Sequence, residues 1–263
     1  MVVNDLAVSR HNLLGIRISA VNLPQAVETI GRWIARQEKE YVCVVPAHSI
    51  MDAYRQVELR PVFNNAGMCT PDGMGVVWSL KLAGFRNVSR VYGPDLMQAV
   101  SADSVAKGWS HFYYGGTPDV LSRLIESMQA RFPGLRIAGT YRPPFRALTP
   151  EEDALVVAQI NASGADIVWV GIGSPRQERW MAEHRSVLKA PVLIGVGAAF
   201  DFHSGAKPQA PRWIQRSGLE WIYRFFHEPR RLWRRYIQYP WFVLLVIAQL
   251  LGIVRFSENT VNS

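Results

Sequence analysis

Residues 165–181 read ADIVWVGIGSPRQERWM. The apolar run Ile167-Val168-Trp169-Val170 has the length and character of a strand buried on both faces of a parallel sheet. It runs into Gly171-Ile172-Gly173-Ser174-Pro175, and a helix opens with Arg176, Gln177 and Glu178. Strand, glycine turn and polar helix start are the unit with which an α/β sheet offers backbone N–H groups to a phosphate at its carboxyl edge. The stretch predicts an enzyme of nucleotides or sugar phosphates.

The same alternation extends outward in both directions. Strand-like runs fall at 16–19, 41–45, 88–91, 111–114, 136–138, 166–170 and 192–196. Amphipathic stretches lie between them at 26–36, 50–56, 74–82, 95–107, 119–130, 151–162 and 177–188. Thr117-Pro118-Asp119 and Thr149-Pro150-Glu151-Glu152 each set a capping hydroxyl before an N1 proline and early acids. Strictly alternating strands and helices predict a Rossmann-like α/β/α sandwich with a mostly parallel sheet. A catalytic domain over 1–204 is expected, with a helical appendage over 205–263.

The appendage is where the charge sits. The 263-residue chain carries a net charge of +8. Between residues 206 and 236, eight basic side chains face only Glu220 and Glu228, so six of those eight net charges fall there. Helical patterns rich in Trp, Tyr, Phe and Arg follow one another at 211–218, 219–227 and 229–238. The apolar run 241–254 is shorter than the ~20 residues that span a bilayer. A basic-aromatic helix beside a short apolar one predicts an appendage that lies on a membrane surface. The competing reading is a helical pair packed on the core with a solvated basic face. Nucleic-acid binding fits less well, because the apolar helix has no role there. Cys43 and Cys69 read as small buried hydrophobes of a reducing compartment. No apolar h-region follows a basic start at the N-terminus, so a cytoplasmic protein is expected.

Four further motifs join the opening stretch: Thr70-Pro71-Asp72-Gly73-Met74-Gly75, Arg90-Val91-Tyr92-Gly93-Pro94-Asp95, Phe112-Tyr113-Tyr114-Gly115-Gly116-Thr117-Pro118 and Gly195-Val196-Gly197-Ala198-Ala199-Phe200-Asp201. In this order and spacing they resemble the WecG/TagA/CpsF glycosyltransferases (glycosyltransferase family 26). The resemblance covers roughly residues 12–236. It implies inverting transfer of a sugar from a UDP-sugar donor to a saccharide on polyprenyl diphosphate, at the cytoplasmic face of the bacterial inner membrane. It also implies a peripheral membrane protein that works without a metal or other cofactor. No Asp-x-Asp occurs in the chain, which leaves the diphosphate to arginines and helix N-termini.

The resemblance also assigns residues. Asp72 corresponds to the general base, against a bland reading as a helix N-cap carboxylate. Arg90 corresponds to a phosphate ligand, expected at the end of a strand, against a surface pairing with Asp95. Gln177 corresponds to a donor-sugar contact, against a capping-box partner of Ser174. Gly115, Gly116 and Gly173 would admit the nucleotide, and Asp201 would touch it or cap the appendage. Arg212, Arg224, Arg231 and Arg234 are expected to hold the lipid diphosphate. One place departs from the pattern. Members that transfer N-acetylmannosamine carry Thr-x-Asn where this chain reads Pro46-Ala47-His48. That points to the exopolysaccharide branch, the GumM-like β-glucosyltransferases, with UDP-glucose as donor and His48 as a substrate contact. A UDP-N-acetylmannosamine transferase is the second reading. A dehydrogenase would need a third glycine after an early strand, and a non-catalytic nucleotide-binding membrane adaptor remains as a rival from another class. The sequence leaves the acceptor saccharide and homo-oligomerisation open.

Overall fold

Leu14 and Gly15, both with positive φ (55° and 93°), turn the chain between β1 (Arg10–Leu13) and β2 (Ile16–Ser19), an antiparallel hairpin. The computed structural model describes residues 8–257, and the side chains of Arg216, Arg231, Arg234 and Arg235 lie outside the described residues. After the hairpin the chain alternates: α1 (Leu23–Arg36), β3 (Glu40–Val45), α2 (Ala47–Arg55), α3 (Arg60–Asn64), β4 (Met68–Pro71), α4 (Met74–Leu82), α5 (Gly93–Lys107) and β5 (Ser110–Gly115). It continues through α6 (Pro118–Arg131), β6 (Arg136–Tyr141), α7 (Pro150–Ser163), β7 (Ile167–Gly171), α8 (Arg176–His184), β8 (Val192–Gly195) and α9 (Ala199–His203). Four helices close the chain: α10 (Arg212–Ser217), α11 (Glu220–His227), α12 (Pro229–Tyr236) and α13 (Tyr239–Leu250).

Strands β3 to β8 form one six-stranded parallel sheet in the order β4-β3-β8-β7-β5-β6. Side chains alternate across it, as the two-residue period of a strand requires. Val42, Val44, Tyr113, Ile167, Trp169, Val192 and Ile194 pack under α1, α5, α6 and α9. Tyr41, Cys43, Val45, Phe112, Tyr114, Val168, Val170 and Leu193 pack under α2, α4, α7, α8 and α13. Both faces are covered, which is why the strands read as unbroken apolar runs. The expected caps are present: Thr117 and Thr149 accept from the N3 amides of α6 and α7, and Glu152 completes a capping box. Cys43 and Cys69 stand opposite each other on β3 and β4 as buried free thiols.

Two expectations fail. Residues 88–91 form no strand; Val91 N–H donates to Pro71 O at 2.9 Å, a lone link beside the end of β4. Arg90 therefore does not end a strand. Two strands of four residues each, β1 and β4, went unforeseen. The helices of the expected appendage pack against the sheet domain. Phe242 and Val246 of α13 are buried in the core beside α2 and α4. The Gln249 amide accepts from Leu14 N–H (3.0 Å) and donates to Asn12 O (2.7 Å), tying α13 to the hairpin.

Candidate active site

The carboxyl edge of the sheet collects the sequence-predicted residues. β4 ends at Pro71, and Asp72 N–H donates to Val45 O at the end of β3 (3.1 Å). Gly73, with φ of 89°, is the N-cap of α4, and no side chain caps that helix. The Asp72 carboxylate is thus not spent as a cap. It accepts from Arg90 Nε at 3.1 Å and lies 3.1 Å from Arg90 Nη2. Burial pushes the Asp72 carboxyl up; Arg90 pulls it back in part, and Glu220 adds to the rise. A carboxyl displaced upward by burial holds its proton more readily than a free one.

Arg90 makes a second ion pair. Its Nη2 is 2.7 Å from Glu220 Oε2 at the start of α11, and its guanidinium lies 4.0 Å over the Tyr92 ring. Burial opposes the Arg90 charge, but Asp72 and Glu220 outweigh it and hold the side chain firmly protonated. Arg224, one turn on from Glu220, is 3.9 Å away from it and 5.6 Å over the Phe202 ring. Burial also pushes the phenols of Tyr92 and Tyr239 up. Glu220, Tyr92 and Tyr239 were not singled out from the sequence. The signal for Glu220 was present, since it is one of two acids in a strongly basic segment.

Asp95 does not take Arg90, as the surface reading had it. It binds Arg212 Nη1 at 2.9 and 3.0 Å. Arg212 thus sits on α5, while Arg224 joins the Asp72 cluster; the side chains of Arg231 and Arg234 fall outside the described residues. Asp201 pairs with Lys207 (3.0 Å), which also reaches Glu228 (3.1 Å), so Asp201 ties α9 to the C-terminal helices.

The opening motif folds as expected, with different partners. α8 has Pro175 at its N-cap and no side-chain cap, so Gln177 is not a capping-box residue. Gln177 is buried: its Oε1 accepts from Gly197 N–H (3.1 Å), and its Nε2 donates to the buried Glu178 (2.9 Å). It locks the turn after β8. The Ser49 and Ser174 hydroxyls meet at 3.2 Å, bringing the start of α2 against the β7 turn. His48 is half-buried in the first turn of α2, whose N-cap is Pro46, so His48 does not cap it.

The three glycines differ. At Gly115 (φ 129°) a Cβ would stand 2.5 Å from Gly171 O, so this glycine serves strand packing. At Gly116 (φ 74°) a Cβ would crowd Val120 at 3.3 Å. At Gly173 (φ 84°) a Cβ would meet nothing within 4 Å. Gly173 is therefore the one of the three with open space before its backbone. Among the described residues no group of three His, Cys, Asp or Glu is placed to hold a metal ion.

Comparison with known proteins shows the family of the chain. The profile of the "Glycosyl transferase WecG/TagA/CpsF family" matches residues 11–255. The chain is 29% identical over 236 residues to the N-acetylglucosaminyldiphosphoundecaprenol N-acetyl-beta-D-mannosaminyltransferase of Bacillus subtilis (strain 168), covering 87% of this chain and 90% of that one. It is 34% identical over 196 residues, 74% of each chain, to the enzyme of the same name from Bacillus spizizenii (strain ATCC 23059 / NRRL B-14472 / W23). Both relatives are named for mannosaminyl transfer. The glucose reading drawn from Pro46-Ala47-His48 is thus not supported, and the second reading fits better. A matched profile over most of the chain, on a parallel sheet whose edge carries the Asp72–Arg90 pair, gives the conclusion: the chain belongs to the WecG/TagA/CpsF family and is a glycosyltransferase.

Proposed function

We propose that this enzyme transfers N-acetylmannosamine from a UDP donor, with inversion, to a saccharide carried on polyprenyl diphosphate. The observation that carries the reading is the Asp72 carboxylate, displaced upward and held on Arg90 at the end of β4. In a single displacement the acceptor hydroxyl attacks the anomeric carbon as the sugar–phosphate bond breaks. Asp72 takes the hydroxyl proton, and UDP leaves with the bonding electrons. Arg90 and Arg224 answer the charge on the diphosphates, and the open backbone at Gly173 with the start of α8 receives the nucleotide. Gln177 shapes the donor pocket through the Gly197 turn, and His48 faces the sugar. The names of the two Bacillus relatives, mannosaminyltransferases acting on N-acetylglucosaminyldiphosphoundecaprenol, support this donor sugar and a lipid-linked acceptor.

The C-terminal helices bring the enzyme to its lipid. Trp241, Leu244, Ile247 and Leu251 are exposed on the side of α13 away from the core residues Phe242 and Val246. No helix among the described residues is long and apolar enough to cross a membrane. A peripheral, in-plane contact suits such a face. Purified enzyme given a short-chain polyprenyl-diphosphate N-acetylglucosamine acceptor should release UDP from UDP-N-acetylmannosamine. It should not do so from UDP-glucose or UDP-N-acetylglucosamine. Turnover with UDP-glucose alone would restore the exopolysaccharide reading that His48 suggested. UDP release without a sugar–lipid product would refute transfer.

A further inference from the structure

Glu220 opens α11 with a side chain only 10% exposed, inside a segment where basic side chains outnumber acids four to one. That burial is unusual for an acid. Its partner is the same guanidinium nitrogen that holds Asp72: Arg90 Nη2 is 2.7 Å from Glu220 and 3.1 Å from Asp72. One cation thus joins a carboxylate of the sheet edge to a carboxylate of the C-terminal helices. We infer that Glu220 is a positioning residue for the transfer reaction, which fixes Arg90 against Asp72 from the C-terminal helices. The inference rests on Asp72 being the base.

The physical reason lies in how two anions share a cation. A guanidinium beside a carboxylate favours its ionised form and weakens it as a base; a second carboxylate on that guanidinium offsets part of the effect. The groups facing Asp72 are Arg90, Glu220, Arg224 and the phenols of Tyr92 and Tyr239, with Tyr236 against Arg224. The two arginines draw Asp72 toward ionisation. Burial and Glu220 push the other way, and Glu220 is the anion closest to Arg90. Proton abstraction is faster when the base is matched to the working pH. Arg224 one turn along α11 and the Tyr92 ring under Arg90 keep the trio in place. Closure of the base site then depends on α11, so the C-terminal helices are part of the catalytic centre as well as a route to the lipid.

The test uses the full chain. The pH dependence of kcat/KM is measured for the native enzyme, Glu220→Gln, which keeps shape and loses charge, and Glu220→Asp, which keeps charge. In Glu220→Gln the acid limb should move to lower pH and kcat at neutral pH should fall several-fold, with donor KM unchanged. Glu220→Asp should return the limb toward its native position. The Asp72 carboxyl is also titrated by ¹³C NMR, its signal identified by its loss in Asp72→Asn, and should move down in Glu220→Gln. An unmoved titration and limb, with activity lost only in proportion to thermal stability, would reduce Glu220 to a structural residue and overturn the inference. A rise in kcat/KM with tighter UDP binding would overturn it differently, making Glu220 an occupant of the phosphate site. Because the NMR titration needs no turnover, an inert native enzyme would sink the proposed transfer while the Glu220–Asp72 coupling is still judged.

Discussion

Replacing Arg90 by Met removes the one cation that Asp72 and Glu220 share and leaves its apolar volume. The two carboxylate oxygens lie 3.1 and 2.7 Å from the same Arg90 nitrogen, so they are within about 5.8 Å of each other. Two unit charges at that separation repel by about 3 kcal/mol at an effective dielectric constant of about 20. Removing one partner of a buried ion pair typically costs about 3–5 kcal/mol. Arg224, 3.9 Å from Glu220, screens part of the repulsion, so a loss near 3 kcal/mol is expected. The loss has a sign in pH. Both carboxyls must be ionised to repel, so the penalty is full near neutral pH and shrinks as pH falls into the range where Asp72, already displaced upward, takes a proton. The assay is urea unfolding at pH 8 and pH 5 for the native chain, Arg90→Met, Glu220→Gln and the double variant. The penalty should be smaller at pH 5, and the double variant should recover most of it in a double-mutant cycle. An equal penalty at both pH values, with no coupling to Glu220, would refute the shared-cation account.

Asp72→Asn should lower transfer by about 10²–10⁴-fold while UDP still binds by calorimetry. Because the folded state holds its proton more tightly than the unfolded chain, stability contributed by this group falls as pH rises through the folded value. The Asn variant should therefore unfold at no lower temperature than the native chain at pH 8. Gly115→Ala, whose Cβ would press on Gly171 O, should express poorly or unfold early. Gly173→Ala should cost only about 1 kcal/mol by urea unfolding yet weaken UDP binding. Phe242→Ala should cost about 3–5 kcal/mol, since this α13 side chain is buried in the core beside α2 and α4; a cost near zero would mean the helix is not part of the folding unit. Trp241→Ser with Leu244→Ser should leave stability unchanged and reduce flotation with anionic vesicles, and unaltered flotation would remove α13 as the contact.

What was legible in the sequence was whatever depends on local periodicity. Apolar runs such as Ile167–Val170 and the Thr-Pro caps at 117 and 149 announce a parallel sheet with covering helices, because burial and capping leave marks on consecutive residues. The Asp72, Arg90 and Gly173 motifs marked the carboxyl edge of that sheet and the family to which the chain belongs. Partnership was decided only in three dimensions. Arg90 turned from Asp95 to Asp72 and Glu220, residues 18 and 130 positions away in the chain. Gln177 became the brace of Gly197, and α13 buried Phe242 in the core. Side chains distant in sequence pair according to which helix ends the fold brings to one edge. Periodicity fixes which face of an element is buried, but an ion pair at the sheet edge depends on the position of every layer packed around it.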